Sequence, residues 1–119
     1  MPQYMLLIYG DPSAGPAQDS PERQAEFAQW MSYTQQMGEA GVMQAGDALH
    51  PVETATTVRV RGGERVVSDG PFAETKELLG GYYLIDVPDL DTALEWAGKA
   101  PNIEYGSVEV RPVVVFDQG

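Results

Sequence analysis

Asp69-Gly70-Pro71-Phe72-Ala73-Glu74-Thr75-Lys76-Glu77, followed by Leu78-Leu79-Gly80-Gly81-Tyr82-Tyr83-Leu84-Ile85, sets a tight turn directly against an apolar strand. Asp-Gly-Pro is turn chemistry, Phe72 is a core-type side chain, and Gly80-Gly81 leads into a run to Val87 rich in Tyr, Leu and Ile. Upstream, Thr56-Thr57-Val58-Arg59-Val60-Arg61 alternates with period two, and Gly62-Gly63 separates it from Glu64-Arg65-Val66-Val67-Ser68. Two glycines between such runs predict a hairpin, because a type I′ turn needs positive φ at both central positions.

Further out, Tyr4 to Tyr9 is aromatic and aliphatic without alternation, the pattern of a strand buried on both faces. Asp11 to Ser20 reads as a loop, and Ser20-Pro21 as an N-cap with proline at the first helical position. Phe27, Trp30, Met31, Thr34 and Met37 recur at three- and four-residue steps, predicting a helix with Trp30 and Met37 in the core that Gly38 and Gly41 weaken and end. The stretch with Gly46, Asp47, His50 and Pro51 reads as a linker. Pro88-Asp89-Leu90-Asp91 starts a second helix whose Leu90, Ala93, Leu94 and Ala97 share a face, and Pro101 halts it. Gly106 to Val115 is the last strand, with Pro112 forcing an edge, a bulge or an exit.

The resulting order is strand, helix, strand pair, strand, helix, strand, which predicts a ferredoxin-like α+β fold with an inserted hairpin. At 119 residues the chain is one domain. Two helices cover only one face of such a sheet, and an apolar second face left in water is a large exposed patch. A second copy of the chain, packed sheet to sheet with twofold symmetry, covers it.

The Asp-Gly-Pro-Phe run, the Glu-Thr-Lys-Glu after it, the opening Tyr4-Met5-Leu6-Leu7-Ile8-Tyr9-Gly10 and the closing Val108-Glu109-Val110-Arg111-Pro112 together resemble the DGPF branch of the YCII-related family, over nearly the whole chain. The resemblance implies a dimeric α+β barrel. Some family members are described as lyase-like, with a His-Asp pair proposed as acid and base and its histidine on or near the first helix. In this chain Trp30, Tyr33 and Gln36 stand on that helix, and the only histidine is His50.

Eighteen acidic against seven basic side chains give a net charge of −11, a field that repels phosphate backbones and anionic headgroups. Nucleic acid and membrane are thereby disfavoured as partners. The absence of cysteine removes disulfides, thiolate nucleophiles and cysteine-based zinc sites. The first residues lack the pattern of a secretion signal, which gives a cytoplasmic expectation. No phosphate-cradling or dinucleotide-binding glycine motif is present, and one histidine does not make a metal site, so neither cofactor nor metal is expected.

Chemistry is expected in a small-molecule pocket near Asp69, Phe72, Tyr82, Glu109 and Arg111. Glu109 and Arg111, two apart on one strand, point the same way: as an inward pair they hold a ligand, as an outward pair they are an ion-paired strand end or a dimer salt bridge. Asp69 either accepts backbone N–H groups of its own turn, with Phe72 as a core plug, or acts as a general base beside Glu74 and Glu77 with Lys76 balancing charge. His50 has the one side chain with an ordinary pKa near neutrality, and with Asp69, Asp47 or Glu109 it forms an acid/base dyad or else lies on the surface. Two readings follow. One is a cofactor-independent lyase or isomerase with Asp69 or His50 as base and Arg111 holding an anionic substrate. The other is a non-catalytic regulatory module, which the family's frequent gene neighbourhood with extracytoplasmic-function sigma factors implies by association.

Overall fold

A computed structural model describes residues 2–11, 13–17, 19–71 and 76–116. Chain order is β1 (Gln3–Gly10), α1 (Pro21–Glu39), β2 (Met43–Ala48), a single 3₁₀ turn (Val52–Thr54), β3 (Thr56–Arg61), β4 (Glu64–Asp69), β5 (Leu78–Asp86), α2 (Leu90–Gly98) and β6 (Gly106–Pro112). The main sheet has four strands in the order β2-β5-β1-β6, every pairing antiparallel, and β3-β4 form a separate two-stranded sheet. This is an α+β fold of two helices and antiparallel sheets, with the expected hairpin between β2 and β5. One strand stands where the sequence reads as linker: Met43–Ala48 pairs along the β5 edge. Its glycine, alanine and aspartate carry little strand propensity, and tertiary pairing overrides that deficit.

Local chemistry accounts for the boundaries. Ser20 Oγ accepts the Arg23 N–H at 3.1 Å, with Pro21 at the first helical position. At the other end Gly41 takes φ 74°, so that the Val42 N–H reaches the Met37 carbonyl and the Gly41 N–H reaches Gly38. That double bond is a Schellman closure, and it turns the chain into β2. Asp89 caps α2 by accepting from Thr92, and the Thr92 hydroxyl and backbone N–H together hold its carboxyl below the usual carboxylate range. Gly62 and Gly63, at φ 59° and 82°, make the turn that joins β3 to β4.

Both helices lie on one face of the sheet. Tyr4, Leu6 and Ile8 of β1 and Ile85 of β5 point toward them and are buried; Met5, Leu7 and Leu84 point the other way and are half-buried. Against the expectation for β1, burial by this one chain is therefore complete on one face only. The buried stripe of α1 also differs from the expected one. Glu26, Tyr33 and Met37 are buried and Trp30 is half-buried, whereas Phe27 and Met31 are exposed. The helix is turned so that the Tyr33 ring packs edge-on to Trp30, Tyr83 and Trp96, and its hydroxyl donates to the Trp96 carbonyl at 2.6 Å. In α2 the buried residues are Ala93 and Ala97, with Leu90 and Leu94 outside.

Leu6, Met37, Ile85 and Val87 are fully buried, and the first three join β1, α1 and β5. Ile85→Ala is expected to cost about 2–5 kcal/mol, read as a fall in the urea midpoint at unchanged slope.

Candidate functional site

Turning Phe27 and Met31 away from the core opens a cleft of about 740 Å³ between α1 and the β2-β5 edge, floored by Ile8, Tyr9 and Gly10 at the end of β1. Its aromatic wall is Trp30 stacked on Tyr83, ring centres 6.4 Å apart and planes 14° from parallel. The Tyr83 hydroxyl lies 2.7 Å from Thr34 Oγ1, which in turn donates to the Trp30 carbonyl. Gly46 permits this wall: a Cβ there would sit 2.7 Å from the Tyr83 ring. Phe27, Met31, Leu49 and Leu79 form an exposed apolar rim, Phe27 being 67% exposed. Exposed apolar side chains gathered around a concavity mark a binding surface.

The deep end is polar. Glu26, 6% exposed, receives the Tyr105 hydroxyl on Oε1 and Arg23 Nη1 at 2.7 Å on Oε2. Arg23 also donates from Nη2 to the Pro16 carbonyl at 2.6 Å, which ties the preceding loop to the helix. Burial, then the bond to Glu26 and that residue's charge, pushes the Tyr105 phenol up to about 12. Burial raises the Tyr33 phenol as well. Asn102, 5% exposed, donates from Nδ2 to the Tyr9 carbonyl at 3.0 Å, while its Oδ1 and Arg23 Nε have no hydrogen-bond partner among the described residues. Each such buried group costs about 1–3 kcal/mol until a water or a ligand pairs it.

Among the site candidates singled out from sequence, the cleft takes in His50, Tyr82 and Asp47. His50 is exposed at its mouth, and Tyr82 stands at its rim, donating to Asp47 Oδ2 at 2.7 Å. That bond, with the Asp47 charge behind it, raises the Tyr82 phenol. Asp69 is exposed at the end of β4 and does not line the cleft. The Gly70 N–H donates to the Ala55 carbonyl at 2.7 Å, so it does not serve Asp69 as the turn reading expects. Glu109 and Arg111 lie on the sheet face opposite the helices and bond to each other through Arg111 Nε and Nη2. Glu109 also borders a shallower hollow with Tyr9, Lys76, Glu77 and Ser107. Phe72 lies outside the described residues. Arg23, Glu26, Asn102 and Tyr105 are the polar groups that sequence reading missed. One signal was present: residues 23, 26, 30, 33 and 37 follow three- and four-residue steps, so the ion pair shares the buried stripe.

Among the described residues no group of three or more His, Asp or Glu side chains is placed to hold a metal ion. Nor is any described helix long and apolar enough to cross a membrane.

The fold and cleft define an α+β domain with antiparallel sheets and two helices on one face. The chain belongs to the YCII-related domain family, whose pattern spans residues 2–117. An uncharacterised protein of Rhizobium meliloti (strain 1021) is 39% identical over 118 residues, covering 98% of this chain and 95% of its own. Among solved structures the chain is similar in fold to 5-chloro-2-hydroxyhydroquinone dehydrochlorinase (TftG) from Burkholderia phenoliruptrix AC1100, in complex with 2,5-dihydroxybenzoquinone. The TM-score is 0.52 at 12% identity, over 98% of this chain and 95% of the other.

The raised phenol of Tyr105 has a pH consequence. A folded pKa above the unfolded value of about 10 favours the native state fully below pH 10, and the gain is lost as pH rises toward about 12. Tyr105→Phe is expected to lower stability at pH 7 and to flatten its decline across that window, followed by urea unfolding at each pH.

Proposed function

We propose that the cleft under α1 binds a small, planar, uncharged organic molecule, and that any turnover is cofactor-independent acid/base chemistry of the lyase or isomerase type. The observation that carries this is an apolar, aromatic-walled cavity whose buried Asn102 keeps an acceptor without a partner among the described residues. A flat ring would lie along Trp30 and Tyr83, and a ligand hydroxyl would donate to Asn102 Oδ1. The charges around the cleft favour an uncharged ligand over the anionic one expected from sequence. Asp11, Glu26, Asp47 and Glu53 outnumber Arg23 and His50, and Arg23 is already paired with Glu26. A carboxylate ligand would meet like charge there. The fold neighbour's complex, in which a dehydrochlorinase holds a dihydroxybenzoquinone, supports a small planar ring as the ligand type; that quinone is a vinylogous acid, so the uncharged state rests on the charges of this cleft alone.

His50 at the mouth is the proton carrier in this reading, as the imidazole that lines the cleft. Asp69 is a second candidate only if a partner chain brings it to a cleft. We further assign the open sheet face to a second copy, in the sheet-to-sheet barrel that the family resemblance implies. Met5, Leu7, Tyr9 and Leu84 make that face apolar at its centre, and among the described residues no helix covers it.

Hydroquinone, as an uncharged ring probe, is expected to raise the melting temperature at millimolar concentration and to quench tryptophan fluorescence. Benzoate, of similar size but anionic, is expected to do neither. Trp30→Ala should abolish the hydroquinone effects, while His50→Ala leaves binding intact. A benzoate response equal to that of hydroquinone, or no response to either, contradicts the reading.

A further inference from the structure

Two buried polar atoms at the deep end of the cleft are left over by the geometry around them. Arg23 gives Nη1 to Glu26 at 2.7 Å and Nη2 to the Pro16 carbonyl at 2.6 Å, so both tips of its planar fork are held. Its Nε–H is the donor that remains, buried and without a hydrogen-bond partner among the described residues. Asn102 gives Nδ2 to the Tyr9 carbonyl at 3.0 Å, and because that carbonyl needs a donor, the orientation of the amide is fixed. Oδ1 is then the acceptor that remains, also buried and without a partner among the described residues. A Cβ on Gly106 would sit 2.5 Å from the Tyr9 carbonyl oxygen and 2.6 Å from Asn102 Nδ2, so the close fit that holds the amide needs glycine there.

One hydrogen-bonded cluster joins the two residues. Tyr105 donates its hydroxyl to Glu26 Oε1, the oxygen that Arg23 does not hold, and its backbone N–H to the Asn102 carbonyl at 3.1 Å. Arg23 and Asn102 both line the cleft. The two leftover atoms are of opposite sense, yet they are not bonded to each other. What completes both is a group that brings an acceptor to Nε–H and a donor to Oδ1. Buried groups without partners carry a penalty that a matching ligand removes, and an analogue lacking one of the two functions leaves it in place. Both atoms are shielded from solvent, so a ligand reaches them by parting Arg23, whose side chain is 33% exposed, from the Asn102 turn.

We infer that Arg23 Nε and Asn102 Oδ1 are a donor and acceptor pair that selects, among uncharged flat rings, those presenting an acceptor and a donor on one edge: a lactam, or a hydroxyl that does both with one oxygen. The inference rests on the ring-binding reading above and narrows it, since Trp30 and Tyr83 stack on any flat ring and this pair discriminates between rings. Nitrogen–proton correlation NMR on the full chain, titrated with 2-pyridone and with N-methyl-2-pyridone, tests it. Wild type is expected to bind 2-pyridone about tenfold tighter, a comparison that needs no variant. Asn102→Leu, folded by circular dichroism, should bring the two within about twofold of each other, whereas a preference caused by the bulk of the methyl group would persist. Arg23→Lys keeps the charge beside Glu26 but has no donor at that position, and should weaken both pyridones alike. The Arg23 Nε–H resonance should move on adding 2-pyridone to wild type and stay in place in Trp30→Ala. Equal affinity for the two pyridones, or a preference that survives Asn102→Leu, overturns the pair; hydroquinone binding that depends on Trp30 then leaves the ring-binding reading standing. An Arg23 Nε–H that 2-pyridone does not move, with a water cross-peak to it at saturation, makes the site a buried water only and overturns the pair. No response at Trp30 to either pyridone or to hydroquinone overturns both.

Discussion

Tyr33 decides which way α1 faces, and most of the architecture follows from that orientation. Its ring is enclosed by Trp30, Tyr83 and Trp96, and its hydroxyl is spent on the Trp96 carbonyl, so one side chain joins α1 to β5 and to α2. Aromatic edge contacts and a buried hydroxyl bond are directional as well as apolar, and they fix the helix rotation more closely than aliphatic packing does. With Tyr33 inward, Met37 enters the core on one side and Glu26 is carried under the sheet end on the other. Phe27 and Met31 are left with no core to join. The cleft is the space between those stranded residues and the β2-β5 edge.

Burying Glu26 is tolerable only because its partners come from two separate places. Arg23 arrives from one turn earlier on the helix, and Tyr105 from the turn that leads into β6. A carboxylate in such a position without both would face a desolvation cost of several kcal/mol. The same cluster fastens the loop before α1 through the Pro16 carbonyl, so the polar end is structural as well as chemical. Asn102 belongs to this layer but is only half satisfied, which separates a residue of structural use from one that still has an acceptor to offer.

Much of the fold was legible because local chemistry and global plan agree. Gly62-Gly63, Ser20-Pro21 and Asp89 act through backbone geometry or through bonds a few residues away, and short-range patterns report such effects directly. β2 was not legible, since Met43–Ala48 is a strand through the pairing offered by β5 rather than through its own residues. The face of α1 was misread because hydrophobic weight favours Phe27 and Met31 over Tyr33 and an ion pair. The site suffered most. Glu109 and Arg111 stand out as charge on a strand, yet their strand faces away from the helices; Arg23 and Glu26 look like a solvated helical pair, yet Tyr105, 79 residues beyond Glu26, shelters them. Long-range convergence of that kind leaves little trace in spacing.

The central claim is that ligand binding belongs to the helix side of the sheet and not to the charged strand face opposite. Backbone amide chemical shifts followed during titration with hydroquinone test it most directly. The account predicts perturbations gathered at Ile8 to Gly10, Trp30, Gly46 to Ala48 and Asn102. Perturbations centred on Met5, Leu84, Glu109 and Arg111, with the α1 cleft silent, would contradict it.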